Sequence, residues 1–123
     1  MNGTLLLGRY GEAAAAEYLR KKGCRILGMN YRTRLGEIDV IAADRRYVMF
    51  VEVKLRKSAA FAEAREFVTA AKRRRLAAAA EEWLQTNPQT LQPRFDVIEV
   101  YAPDGIHTEK PVVRWWENAF TLD

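Results

Sequence analysis

The sequence predicts an α/β fold in which a mixed central sheet is flanked by helices. Three observations predict it. A helical pattern spans residues 4–22, two adjacent apolar runs occupy 38–43 and 47–54, and a second helical pattern over 69–87 precedes another apolar run at 95–101. The predicted order of elements is therefore helix, three strands, helix, strand, with a tail.

The first helix is predicted over residues 4–22 because Leu7, Ala15 and Leu19 recur at helical spacing. Gly23 follows directly, and a glycine at this position typically closes a helix in the left-handed conformation. Residues 25–32 carry several apolar side chains and lead into a turn-like segment, so a strand is predicted there.

The second and third strands are predicted as a β-hairpin. Residues 38–43 and 47–54 are apolar runs that a short polar turn around Asp44, Arg45 and Arg46 connects. Both faces of the second run begin with apolar residues, which indicates a central strand covered on both sides. Residues 58–67 are predicted to form a loop or a short helical turn.

The second helix is predicted to begin after Thr69, a suitable N-cap, and to end near Asn87 and Pro88. It lies between the strands that end near Lys54 and begin near Phe95. A crossover of this length favours a parallel, right-handed connection between those two strands.

The last predicted strand, at residues 95–101, contains two acidic residues. Asp96 is interpreted as an acid near a loop that could bind a basic side chain, and Glu99 as a surface residue of a strand. Residues 112–120 are ambiguous in secondary structure. Within them, Trp115 and Trp116 are expected to be core or lid residues rather than platforms for base stacking.

The length and composition of the chain restrict the class of protein to which it can belong. The chain has 123 residues with 49% hydrophobic content, which predicts a single domain over residues 1–123. No apolar stretch approaches the roughly 20 residues that span a bilayer, and the first residues lack a signal-peptide pattern, so a cytoplasmic protein without a membrane partner is expected. Cys24 is the only cysteine, which excludes an internal disulfide.

Basic residues outnumber acidic ones by 20 to 16, and they concentrate at residues 20–34, 45–57 and 72–75. Such clustering is typical of a surface that binds phosphates, and DNA is the expected partner. The alternative is a set of solvated helix and turn faces. Six residues of these clusters are candidates for nucleic-acid contacts: Arg32, Arg34, Arg56, Lys72, Arg73 and Arg74.

The candidate catalytic residues lie on the hairpin. Glu52 and Lys54 are two residues apart on a predicted strand, so their side chains emerge on one face. Asp39 on the other arm joins that face if the numbers of directly paired residues have an odd sum, as when Asp39 pairs with Glu52 or Phe50; a pairing with Val51 would place it on the other face.

Two neighbouring carboxylates repel one another unless a cation lies between them. Oxygen ligands favour a hard ion, and Mg²⁺ characteristically takes one or two carboxylates while it keeps waters and substrate oxygens. Lys54 would place a positive charge beside the ion. The alternative is an ordinary buried ion pair between Glu52 and Lys54.

Glu12 is a candidate third carboxylate, because the helical pattern places it on a stripe with Gly8, Ala15 and Leu19 that is predicted to pack on the sheet. The alternative is a surface glutamate paired with Arg9 or another cation.

On the second helix, Lys72 lies one turn before Leu76 and is predicted to project inward, whereas Arg73, Arg74 and Arg75 are predicted to fan outward.

These motifs resemble a known family. Residues 36–39 (Gly-Glu-Ile-Asp) and 50–54 (Phe-Val-Glu-Val-Lys) look like the PD-(D/E)xK signature of the restriction-endonuclease-like superfamily, and they are closer to its YraN branch, which is similar to Holliday-junction resolvases. The segments at 8–12, 30–32 and 94–97, together with others, extend the resemblance over most of the chain.

The resemblance implies a restriction-endonuclease-like α-β-β-β-α-β core. It also implies Asp39 and Glu52 as metal ligands, the Val53 carbonyl as a third oxygen ligand, Lys54 as the catalytic lysine and Glu12 as a helix carboxylate at the metal. One departure is residues 61–64 (Phe-Ala-Glu-Ala), where a glycine is expected in the loop that faces the substrate.

The leading hypothesis is a Mg²⁺-dependent endonuclease, for which Mn²⁺ could substitute, that acts on DNA with a preference for shape over sequence. A homodimer would suit cleavage of two strands. One alternative is a nucleic-acid-binding or repair-accessory module with weak or no cleavage. Another is an interaction domain that uses Trp115 and Trp116 as its contact surface.

Overall fold

The computed structural model describes residues 3–57 and 68–121, and the turn predicted at 58–67 lies outside the described residues. The predicted order of elements is confirmed. The bounds are α1 (Gly3–Lys21), β1 (Arg25–Arg32), β2 (Glu37–Ala43), β3 (Tyr47–Arg56), α2 (Ala70–Thr86), β4 (Gln92–Tyr101), a short 3₁₀ helix (Gly105–His107) and β5 (Val112–Phe120).

The five strands form one mixed sheet in the order β1-β2-β3-β4-β5. The pairs β1–β2, β2–β3 and β4–β5 are antiparallel, and β3 pairs with β4 in parallel through the α2 crossover. The ambiguous segment at 112–120 is therefore a strand, and it covers the edge of β4 that would otherwise be free.

Both edge strands are irregular. The β1–β2 pairing shifts register between Ile26 and Gly28, and the β4–β5 pairing shifts between Phe95 and Val97. Asn30 of β1 and Asn118 of β5 adopt left-handed backbone conformations, with φ of 53° and 51°. Such features bend a strand locally and interrupt its ladder of hydrogen bonds.

The sheet separates two apolar clusters. On one side, Ala15 and Leu19 of α1 pack with sheet residues that include Val40, Met49 and Ile98. On the other side, the packing involves α2 and the opposite sheet face: Leu76, Trp83, Phe50, Val97 and Phe120. Alternate residues of β3 thus enter different clusters, which confirms the prediction of a strand covered on both faces.

The ends of the helices follow from local chemistry. Gly23 ends α1 with φ of 91°, and the backbone N–H of Cys24 donates to the Leu19 carbonyl at 2.9 Å. At the start of α2, the Thr69 hydroxyl accepts a hydrogen bond from the Lys72 backbone N–H at 3.1 Å, which confirms Thr69 as the N-cap. Cys24 is a buried free thiol.

The turn between β1 and β2 lies against α2. The Thr33 hydroxyl accepts hydrogen bonds from the backbone N–H groups of Leu35 and Gly36, which defines the turn. A Cβ atom at Gly36 would collide with the backbone carbonyl of Arg75 in α2. Glycine is therefore required for this close approach of the turn to the helix.

The interpretation of Asp96 as a loop-proximal acid is wrong. Asp96 lies inside β4 and is fully buried. Its carboxylate accepts two hydrogen bonds of 2.9 Å from Arg94, one of 2.8 Å from the Trp115 indole and one of 2.9 Å from the Asn118 backbone N–H. The expected role in binding a basic side chain is confirmed, and these donors make burial of the charge tolerable.

The interpretation of Glu99 as a surface residue is also wrong. Glu99 is 1% exposed because β5 covers the free side of β4. Its carboxylate accepts hydrogen bonds from the Tyr101 hydroxyl at 2.8 Å and the Trp116 indole at 2.7 Å, and it lies 3.6 Å from the Arg56 guanidinium. The half-buried Trp115 and Trp116 thus each donate to a buried carboxylate of β4.

No helix in the described part of the chain combines the length and the apolar character needed to cross a membrane.

Candidate metal and nucleic-acid site

The hairpin register brings Asp39 to Glu52. Val40 is paired with Val51 and Ile41 with Phe50, so paired residue numbers have a constant, odd sum. Because directly paired residues share a face and successive residues alternate, Asp39 and Glu52, each one residue beyond the Val40–Val51 pair, lie on the same face of the sheet. The odd sum of paired residue numbers that the candidate site requires is therefore observed. The backbone N–H of Val53 also donates to Asp39 Oδ2 at 2.8 Å.

Two lysines share one oxygen of Glu52. Lys72 Nζ lies 2.5 Å from Glu52 Oε1, and Lys54 Nζ lies 3.7 Å from the same atom. The Glu52 side chain is only 7% exposed, so its charge is compensated by ammonium groups from two different elements. The prediction that Lys72 projects inward is confirmed.

The pKa of Asp39 is raised to about 7. Burial is the main cause, and the nearby charge of Glu52 adds to it, whereas the hydrogen bond from Val53 and the charge of Lys72 act in the opposite direction. Asp39 therefore lies where a further cation would favour the ionised carboxylate.

The pKa values of Lys54 and Lys72 are shifted in opposite directions. Burial, followed by the charge of Lys72, lowers the pKa of Lys54. Burial is also the largest single influence on Lys72 and would lower its pKa, but the hydrogen bond to Glu52, the charge of Glu52 and smaller contributions from Lys54 and Asp39 together outweigh burial, and the pKa of Lys72 is raised. Lys72 is thus the more firmly charged partner of Glu52.

The donor set fits Mg²⁺ through two carboxylates and one carbonyl. The N–H and C=O of a strand residue point toward the same neighbouring strand. Because the Val53 N–H points to Asp39, the Val53 carbonyl lies on the β2 side as well, beyond the β2–β3 pair of Val40 and Val51. A hard ion that keeps several waters needs only one or two protein carboxylates.

Glu12 is near this pair without joining it. Its charge contributes to the raised pKa of Asp39, which places it within electrostatic reach. However, residues 3–57 and 68–121 contain no group of three or more His, Cys, Asp or Glu side chains that could hold a metal ion. Among the described side chains, the carboxylate pair Asp39 and Glu52 is therefore the stronger candidate for the metal ligands.

The packing of α1 explains the position of Glu12. Gly11 packs against Val53 and Leu55 of β3 and is buried, whereas Gly8 is exposed. The first half of α1 therefore approaches the sheet at Gly11. The expectation that Gly8 packs on the sheet is wrong. Glu12, the residue after Gly11, is half-buried.

A basic cleft of about 430 Å³ adjoins the carboxylate pair, between the β1–β2 turn and the beginning of α2. It is lined by Arg32, Arg34 and Lys72, and also by Arg75, one of the arginines predicted to fan outward. Glu37 lies 3.4 Å from Arg32 and offsets part of this charge. The cleft remains strongly basic and suits a phosphate backbone.

The remaining predicted nucleic-acid residues are distributed differently. Arg73 does not fan outward, because its Nε donates to the Val68 carbonyl at 3.0 Å and its guanidinium lies 5.7 Å from the centre of the Phe120 ring. Arg56 is half-buried beside Glu99. Arg74 is exposed. The structure therefore gathers Arg32, Arg34 and Lys72 at the cleft and assigns Arg73 a packing contact.

A family model and several similar proteins point to the same protein family. The model of the uncharacterised protein family UPF0102 matches residues 11–100. The chain is 47% identical to a UPF0102 protein of Pelotomaculum thermopropionicum over 94% of this chain and 95% of the relative. It is 47% identical to one from Syntrophotalea carbinolica over 78% of this chain and 79% of the relative, and 40% identical to one from Vibrio parahaemolyticus over 94% and 92%.

Proposed function

This chain belongs to the uncharacterised protein family UPF0102, and we propose that it is a Mg²⁺-dependent endonuclease of the restriction-endonuclease-like PD-(D/E)xK superfamily that hydrolyses DNA phosphodiester bonds. The observation that supports this most is the odd-sum hairpin register, which puts Asp39 and Glu52 on one face of the sheet, where Lys54 lies 3.7 Å from Glu52. The proposed setting is DNA repair or recombination in the cytoplasm.

Asp39, Glu52 and the Val53 carbonyl would hold the ion, which Mn²⁺ could replace. When bound, the ion would supply Lewis-acid polarisation of the phosphate and activation of water. Lys54 would orient the attacking water and stabilise negative charge that develops on the phosphoryl oxygens. Glu12 would face the same region from α1 and add negative charge at its margin.

The basic cleft would position the DNA. Arg32, Arg34 and Arg75 line it together with Lys72, and they would contact phosphates on one side of the carboxylate pair. Phosphate contacts fix register and orientation without reading bases. The geometry therefore favours branched or otherwise shaped DNA over a specific sequence, and a homodimer would suit cleavage of both strands.

The proposal is tested with wild type, Asp39→Ala and Lys54→Ala on linear, flapped and four-way DNA in the presence of Mg²⁺ or Mn²⁺. We expect cleavage by wild type and a loss of at least about 100-fold in both variants, because Asp39→Ala removes a ligand of the ion and Lys54→Ala removes the positive charge beside the reacting phosphate. Glu17→Gln, which removes an exposed carboxylate of α1, is the matched control and should cleave like wild type.

Equal cleavage by all of these proteins would show that another site or a contaminant is responsible.

One observation favours a second function, a nucleic-acid-binding or repair-accessory module that does not cleave. The two ammonium groups of Lys54 and Lys72 already compensate the carboxylates without an added ion. Salt-sensitive DNA binding without cleavage under any condition would support this second function.

A further inference from the structure

Lys72 occupies the place at Glu52 that a cation would take. Its ammonium is the nearer of the two lysines to Oε1, at 2.5 Å against 3.7 Å for Lys54. The charges of Lys72 and Asp39 also act on one another, so the ammonium lies within electrostatic reach of Asp39 as well as in contact with Glu52. It comes from α2, whereas the other three residues belong to the hairpin.

An ammonium and a divalent ion cannot both use this position without a large repulsion. Mg²⁺ binds carboxylate oxygens at about 2.0–2.1 Å. An ion on Glu52 Oε1 would therefore lie within a few ångströms of the Lys72 ammonium, and like charges at that separation repel strongly in a partly buried site. Two carboxylates and two lysines give no net charge, and Mg²⁺ would make the site strongly positive.

Lys72 has an alternative location. Its side chain is 36% exposed, and it lines the basic cleft that contains Arg32, Arg34 and Arg75. The lysine stem is flexible, and the ammonium can rotate from Glu52 into the cleft without movement of α2. A phosphate there would replace the carboxylate as its partner.

We propose that Lys72 is an exchangeable counter-ion of the candidate metal site. Its ammonium neutralises Glu52 in the metal-free protein and moves to a nucleic-acid phosphate when a divalent ion takes its place. This inference rests on the proposed function. It implies that metal and nucleic acid assist one another, because each removes the competing interaction of Lys72.

The experiment measures Mn²⁺ binding at pH 8 by calorimetry, without nucleic acid, for wild type and Lys72→Met. We expect about tenfold tighter binding by Lys72→Met, because the methionine keeps the stem and removes the repelling charge. Lys110→Met makes the same chemical change at an exposed residue distant in sequence and should match wild type. Asp39→Asn should bind about tenfold or more weakly, because it removes a ligand.

A second readout follows the lysine itself. The NMR signal of the Lys72 ammonium, identified by its absence in Lys72→Met, should move during titration with Mg²⁺, and the signal of Lys110 should not. This measurement requires neither DNA nor catalytic turnover. Circular dichroism should show that Lys72→Met is folded, because the replaced side chain is partly exposed.

The outcomes separate the two proposals. If wild type binds Mn²⁺ and Lys72→Met binds it equally or more weakly, the counter-ion role is wrong and the proposed metal site survives. If Asp39→Asn binds as well as wild type, or if no protein binds, the proposed function is wrong and this inference is wrong as well. Tighter binding by both Lys72→Met and Lys110→Met would indicate a general charge effect and would overturn the specific role.

Discussion

Asp39 Oδ2 accepts a hydrogen bond of 2.8 Å from the backbone N–H of Val53. This bond continues the connection between β2 and β3 beyond Val40 and Val51 through a side chain. It holds the carboxylate against the segment that carries Glu52 and Lys54. The geometry of the candidate metal site therefore depends on the hairpin itself.

The metal-free protein should become less stable as pH rises through the raised pKa of Asp39. That pKa is about 7 in the folded protein, above its ordinary value of 3.8, because of burial and the charge of Glu52. The folded state therefore binds the proton more tightly than the unfolded state. The resulting stabilisation is complete below pH about 4 and is lost as pH rises to about 7.

Urea denaturation in the presence of EDTA, repeated between pH 4 and 8, measures this effect. Asp39→Asn should remove the part of the pH dependence that the carboxylate contributes, since the amide does not titrate in this range. Mg²⁺ added in excess of the EDTA should restore stability to wild type near pH 8 by binding the folded state. An unchanged pH profile in Asp39→Asn would contradict the assignment to this residue.

Gly36→Ala should destabilise the protein by about 1–3 kcal/mol, because the new methyl group would collide with the backbone of α2 at Arg75. The turn must then move away from the helix, and the basic cleft should widen with weaker DNA binding. Gly8→Ala is the matched control. It meets no atom within 4 Å, and in a helix it should stabilise by up to about 1 kcal/mol. Thermal denaturation distinguishes the two.

Asp96→Ala should cost about 3–5 kcal/mol of stability, because it leaves the buried Arg94 guanidinium without its main partner. Glu117 also contacts Arg94, at 3.2 Å, but its side chain is 57% exposed. Glu117→Ala should therefore cost less than about 1 kcal/mol. Chemical denaturation of the two variants measures the contrast, and similar losses would contradict a dominant role for Asp96.

The salt dependence of DNA binding should decrease when the cleft loses charge. Each phosphate contact removed should reduce the slope of log affinity against log salt by about 0.9 for double-stranded DNA. We expect this change for Arg34→Gln and for Arg75→Gln, both of which line the cleft. Arg45→Gln, in the turn between β2 and β3, lies outside it and should keep the wild-type slope. Fluorescence anisotropy at several salt concentrations provides the measurement.

The fold was largely predictable because its elements have strong local signals. The hairpin has two apolar runs and a polar turn, and α2 has a capping threonine, so their bounds differ from the prediction by only a few residues. The register was predictable only as a parity condition, because the side-chain period of two cannot distinguish Asp39 opposite Glu52 from Asp39 opposite Phe50. Turn geometry then decides between them.

The buried carboxylates were misinterpreted for a different reason. Asp96 and Glu99 receive their indole hydrogen bonds from Trp115 and Trp116, which lie 19 and 17 residues away. These two hydrogen bonds can be inferred only when the pairing of β5 with β4 is known. The two adjacent tryptophans were the available signal, since a half-buried indole N–H requires an acceptor. The ion pair between Lys72 and Glu52 likewise depends on tertiary packing.

The irregular edges of the sheet restrict how copies of this chain can associate. Asn30 and Asn118 interrupt the outermost strands, and the Asn118 backbone N–H is already directed inward to Asp96. Within the described residues, these interruptions break the row of backbone donors and acceptors to which a neighbouring molecule could add a strand. Continuous intermolecular sheets along these two edges are therefore disfavoured.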